Sequence, residues 1–180
     1  VTDHEAYGDL FQWGRWDDGH QERTPGYVQQ ATVSPNNPLG LNLAGSNPYY
    51  YNSSSDWWAT GDDQDAWTAP VPAAATADNG CDPCKALGSG WRLPTEAEFQ
   101  AMMSSGNEHI TDASSAFSST LRLPMAGRRD QNAGTLTEEG SAGAYWTSTP
   151  DQGGGGVGKA RQFVFTAAPG SAGTSAPGFR

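Results

Sequence analysis

Residues 88–99 read Gly88-Ser-Gly-Trp-Arg-Leu-Pro-Thr-Glu-Ala-Glu-Phe99, and this stretch decides the fold. It is a loop-to-helix junction. Gly88 and Gly90 permit a tight bend, and Trp91 and Leu93 alternate toward a core. Pro94 holds Leu93 extended. Thr95 is placed to cap a helix whose third residue, Glu98, completes a capping box. Phe99, Met102 and Met103 then form an apolar stripe, so a helix is expected over about 95–104.

Outward from this junction, the composition describes one domain over residues 1–180. Seven Trp, six Tyr and six Phe carry much of the apolar area, so burial rests on aromatics. With 23 Gly and 12 Pro, a loop-rich fold with small sheets fits better than a helical bundle. Ten basic against twenty acidic residues leave a net charge of −10. That field opposes a phosphate backbone and an anionic membrane surface, which argues against nucleic-acid partners. No apolar run approaches the ~20 residues needed to cross a bilayer. The chain starts at Val1 without a signal-like segment and reads as a mature product or an excised fragment.

Residues 7–16 place Tyr7, Leu10, Phe11 and Gly14 on one helical face, which predicts a first short helix over about 6–14. Residues 17–80 read mostly as loop, punctuated by prolines but carrying Tyr49, Tyr50, Tyr51, Trp57, Trp58 and Trp67. Such aromatics suit a packed loop region rather than a linker. Strands are expected at Leu121–Met125, Ala144–Ser148 and Arg161–Thr166. The last sets Phe163 and Phe165 on one face and Gln162, Val164 and Thr166 on the other. Between the first two, residues 126–135 have the Asp, Asn and Gly content of a hairpin loop. Residues 150–158 and 167–178 are low-complexity Gly/Ala/Ser/Pro segments.

Several stretches resemble, in order, the Fibrobacter-type major paralogous domains of the C-type-lectin fold. They are Tyr7-Gly-Asp-Leu-Phe-Gln-Trp13, Asp82-Pro-Cys84 with Gly90-Trp-Arg-Leu-Pro-Thr95, Leu121-Arg-Leu-Pro-Met-Ala-Gly-Arg128, Gly140-Ser-Ala-Gly-Ala-Tyr-Trp-Thr-Ser-Thr149, and Ala160–Thr166 with Gly178-Phe179-Arg180. The signature is shared with the formylglycine-generating enzyme group and with variable proteins of diversity-generating retroelements. The resemblance implies an α+β, C-type-lectin-like fold with two short helices, small antiparallel sheets and long loops. Relative to that family, some N-terminal strand and the terminal cysteine are missing, so Cys84 lacks the partner the family would offer.

Candidate chemistry is sparse. Gly153–Ala160 nearly matches a phosphate-binding loop, but Ala160 replaces the hydroxyl residue and a strand pattern follows where a helix is required. Cys81 and Cys84 in Cys-Asp-Pro-Cys are compatible with a redox pair, half a zinc site, a local disulfide or two free thiols; the last two are favoured. His4, His20 and His109 are too scattered to complete a zinc set. Glu96 and Glu98 point to different helix faces and read as capping and helix-dipole residues rather than an acid–base pair. The clusters Asp17-Asp18 and Asp62-Asp-Gln-Asp65 lack EF-hand spacing; a structural calcium site is conceivable, and a solvated acidic loop is favoured. Enzymes of the formylglycine-generating type use cysteines late in the chain, and none follows Cys84 here. No catalytic residue, metal ligand or cofactor is therefore assigned.

The resemblance to retroelement-diversified proteins directs attention to the last forty residues. A framework of Trp91, Leu93, Pro94, Tyr145, Trp146, Ser148, Phe163, Phe165, Gly178 and Phe179 would hold a chemically arbitrary set: Ala144, Asp151, Gln152, Arg161, Gln162, Val164, Ala168, Gly170, Ala172 and Ser175. The alternative is that these are ordinary surface residues. The expectation is a non-enzymatic, receptor-recognition or adhesin-type module, extracellular or displayed on a cell surface or virion. Its partner would be a protein or glycan on another cell or particle, bound without membrane insertion. The rival readings are a structural surface or filament domain of the same fold and an oxidase of the formylglycine-generating type.

Overall fold

The computed structural model describes residues 4–17, 20–23, 28–30, 49–51, 66–76, 78–130, 134–151 and 159–175. The architecture is α+β, with nine short to medium strands and two α-helices among the described residues. Strands β1 (Val28–Gln30) and β2 (Tyr49–Tyr51) pair, as do β3 (Ala66–Ala69) and β4 (Asn79–Cys81). Helix α1 (Glu96–Met103) follows, then α2 (Ala113–Ser118). The hairpin β5 (Arg128–Arg129) and β6 (Leu136–Thr137) leads into a three-stranded sheet of β7 (Ala142–Asp151), β8 (Lys159–Thr166) and β9 (Gly173–Ser175).

Helix α1 starts where its capping chemistry puts it. Thr95 accepts from the backbone of Glu98 through its side chain, and Glu98 accepts from the Thr95 N–H at 2.8 Å. The junction before it is held by Asp82, a buried carboxylate. Its Oδ1 accepts from Cys84 N and its Oδ2 from Leu93 N, both at 2.8 Å. The Pro94 carbonyl then accepts from Ser148 N at 2.8 Å, and Glu96 N donates to Thr149 Oγ1 at 3.0 Å. The signature is thereby sewn to β7, fifty residues downstream.

Three apolar clusters lie among the described residues, and two of them pack against the β7–β8–β9 sheet. Phe99 of α1, Ile110, Ala116 of α2, and Phe163 and Phe165 of β8 form one, with Tyr145 and Leu123 against it. Phe99 and Phe163 stack at 4.6 Å. The other joins Trp13, Trp67 and Ala160, with Phe11, Leu93 and Trp146 at its margin. Each of its indoles is satisfied by a backbone carbonyl: Trp13 by Thr147 (2.8 Å), Trp67 by Cys81 (2.9 Å) and Trp146 by Phe11 (2.7 Å). Buried indole N–H groups need such partners.

Five expectations are corrected. The helix over 6–14 is a single 3-10 turn at His4–Tyr7, because Gly8 and Gly14 adopt positive φ (64° and 92°) that interrupt a helix. Leu121–Met125 is not a strand: Arg122 sits at φ 54°, and pairing begins at Gly127, which bridges Gly143 just before β5. Two of the four sheets among the described residues, β1–β2 and β3–β4, are parallel rather than antiparallel. Helix α2 was not anticipated; Asp112 caps it through a box with Ser115. Finally, Trp91 is not in the core but 60% exposed. The Pro94–Ser148 bond and the Asp82 bridge orient Leu93 inward and leave the preceding tryptophan on the surface.

Candidate functional site

Strand parity divides the β7–β8–β9 sheet into two faces. Antiparallel register sets Gly143 opposite Phe165, Ala144 opposite Val164, Tyr145 opposite Phe163, and Trp146 opposite Gln162. On the far side of β8, Gln162, Phe163 and Val164 face Ser175, Thr174 and Gly173. Since neighbours across strands share a face, Gly143, Tyr145, Phe163, Phe165 and Thr174 look toward α1 and α2. Ala144, Trp146, Gln162, Val164, Gly173 and Ser175 look away.

The inner face is closely fitted. A Cβ on Gly143 would come within 2.3 Å of the Phe165 ring, so only glycine lets that ring lie flat across β7. Phe165 stacks with Tyr145 at 6.0 Å, and the Tyr145 hydroxyl donates to the Pro124 carbonyl at 2.6 Å. Burial pushes the Tyr145 phenol well above its ordinary range.

Arg161 lies on this same side. Its Nε and Nη2 donate to Glu96 Oε1 at 2.9 and 2.6 Å, and its Nη1 lies 3.6 Å from Asp151 Oδ1. Gln100 bridges Glu96 and Thr174, closing a polar seam between α1 and the three strands. The Arg161 hydrogen bond is the main reason the Glu96 carboxyl is held below the ordinary range. Glu98, by contrast, serves Arg92 and the Thr95 cap, and its carboxyl is lowered to about 2 by the Arg92 hydrogen bond first. The two glutamates therefore have separate structural duties, as their spacing implies.

The expected binding residues fall into distinct groups. Ala144, Val164 and Ser175 are half-buried on the outer face. Ala168 and Gly170 are exposed in the turn after β8, where Gly170 has φ 71°. Gln162 is on the outer face but only 6% exposed, and its carboxamide donates to Ser175 Oγ at 3.4 Å, so it is withdrawn from contact. Ala172 packs against the Phe163–Phe165 cluster, and its N–H donates to the Thr111 carbonyl at 2.9 Å. Asp151 and Arg161 belong to the inner ionic seam. Gln152, Gly178 and Phe179 lie outside the described residues. Of the framework residues, Leu93, Tyr145, Trp146, Phe163 and Phe165 do pack in or against the two cores. Ala142 and Thr166, opposite one another at the open end of the outer face, were not among the expected contact residues, although the alternation in β8 already set Thr166 on this face. The same period-two pattern, carried one residue before Ala144, would have found Ala142.

The other chemistry is accounted for locally. Cys81 and Cys84 are free thiols. Burial, then the Asp82 charge, pushes Cys81 up to about 12 and Cys84 up to about 11, so both are neutral at physiological pH. A neutral thiol is a poor nucleophile and a poor metal ligand. Among the described residues no three His, Cys, Asp or Glu side chains converge as a metal site. Residues 62–65, Asp18 and Gly153–Gly158 lie outside the described residues; β8, not a helix, follows the glycine run. No described helix is long and apolar enough to cross a membrane. Comparison with protein-family models, with curated proteins and with solved structures returned no match.

Proposed function

We propose that the chain is a C-type-lectin-like binding module. Its ligand is a protein or glycan on another cell or particle, met by the outer face of β7–β8–β9 and the adjoining turn at residues 167–171. It acts outside the cell or on a cell or virion surface, without catalysis, and its contact residues are diversified by a retroelement. One observation carries this reading. Val164 alternates with Phe163 and Phe165, so the strand that builds the core also presents an outward side chain next to Ala144 and Gly173. A surface of that kind changes chemistry without dismantling its support.

The contact set this supports is Ala142, Ala144, Val164, Thr166, Ala168, Gly170 and Ser175. Arg161, Asp151, Gln162 and Ala172 are assigned to the support instead. The lack of any cysteine after Cys84 favours binding over an oxidase of the formylglycine-generating type.

Sequencing the coding locus tests diversification. The expected result is a nearby reverse transcriptase and a template repeat that differs at adenines in codons of the outward positions and matches at Tyr145, Phe163 and Phe165. Absence of a repeat, or differences concentrated in the Phe163 and Phe165 codons, would sink it.

A further inference from the structure

His20 is fully buried, and its imidazole Nε2 accepts the backbone N–H of Gln12 at 2.9 Å. Its ring meets Phe11 edge to face, with centroids 5.7 Å apart. An acceptor nitrogen carries a lone pair, so this bond exists only in the neutral imidazole. The bond spans the loop from Leu10 to Gln21, which a second bond, Leu10 N to the Gln21 carbonyl at 2.9 Å, also ties. From this loop Phe11 offers its carbonyl to Trp146, and Trp13 reaches Thr147. The loop thus clamps the middle of β7.

We propose that His20 is an acid-sensitive latch, which holds the 10–21 loop against β7 only while its imidazole is neutral. Protonation turns Nε2 into a donor facing the Gln12 N–H and places a cation against the Phe11 ring. The bond is lost, and the loop with its two tryptophan ties is released. The unfolded chain accepts the proton without this penalty, so stability falls as pH drops through the ordinary histidine range.

Charged groups of the loop and its flanks are Asp9, Arg15, Asp17, Asp18, Glu22 and Arg23, of which Asp18 lies outside the described residues. Arg15 donates to Gln12 Oε1, Asp17 accepts from Gln21, and Arg23 pairs with Glu139 beside the β5–β6 hairpin. Trp67 of β3 and Trp146 and Thr147 of β7, which pack against the loop, bring no charge. Asp9 is pushed up, first by burial and then by Asp17, so it too takes up protons on acidification. A comparison at matched pH removes that contribution.

The latch stands independently of the binding reading. Its test is thermal unfolding of the full chain and of His20→Gln, whose neutral side chain keeps an acceptor at every pH. Between about pH 7.5 and 5, the wild type should lose at least about 3 °C more in Tm than the variant. Equal losses would overturn the proposal. Should His20→Gln fail to fold, nitrogen NMR of the wild-type imidazole decides. His20 Nε2 is expected to stay unprotonated wherever the Trp13 and Trp146 indole signals keep their native positions. A protonated His20 with both signals unmoved would refute the latch.

Discussion

The two faces of the β7–β8–β9 sheet are built from the same strands and do opposite things. The inner face carries Tyr145, Phe163 and Phe165, fully engaged with α1 and α2 and intolerant of even a methyl group at Gly143. The outer face carries Ala142, Ala144, Val164, Thr166, Gly173 and Ser175, small and only partly covered. At its Ala160–Gln162 end the tryptophan cluster closes it, and toward Thr166 it opens. Toward the Thr166 end, a period of two residues is enough to separate side chains packed into the core from side chains that are only partly covered.

The comparison can be broken most severely from inside. Phe163→Ala removes a ring stacked on Phe99 and should cost ~3–5 kcal/mol in urea unfolding. A loss below ~1 kcal/mol would mean that the inner face is not the fold's keystone. Gly143→Ala should cost ~2 kcal/mol, because the Phe165 ring must leave its stack on Tyr145.

The ionic seam gives a smaller, pH-dependent effect. The folded state holds Glu96 and Glu98 below their ordinary value of 4.5, Glu98 to about 2. Their stabilisation is present above pH 4.5 and is lost as pH falls toward 2. Both pairs are partly solvated, which limits the size of the effect. Glu96→Gln should therefore flatten the acid limb of a stability–pH profile without altering its shape above neutrality. An unchanged limb would remove the seam from the inner face's support. Smallest of all, Val164→Thr on the outer face should shift unfolding by no more than about 0.5 kcal/mol.

Local signals were legible in the sequence; long-range ones were not. The Thr95–Glu98 box is written within four residues, and α1 follows from it. The alternation of Phe163 and Phe165 likewise announced the buried face of β8. The first expected helix failed because Tyr7, Leu10 and Phe11 are also brought inward by a loop bent at Gly8 and Gly14, and spacing alone does not distinguish the two. Helix α2 has a weak stripe, and its start is marked only by Asp112 with Ser115. Trp91 was misplaced because alternation tells which side a residue faces and not whether anything covers that side. The parallel pairing of β3 with β4, and the Glu96–Arg161 contact across 65 positions, depend on tertiary assembly that no local pattern encodes. That contact ties Arg161 to α1 rather than leaving it as an isolated surface charge.

The central claim, that one sheet has a fixed face and a substitutable face, is tested most directly by a saturation library over residues 142–147 and 161–166, sorted for protease-resistant folded protein. Depletion is expected at Gly143, Tyr145, Phe163 and Phe165, alternating with tolerance at Ala144, Val164 and Thr166. Uniform tolerance, or depletion without that period-two alternation, would contradict it.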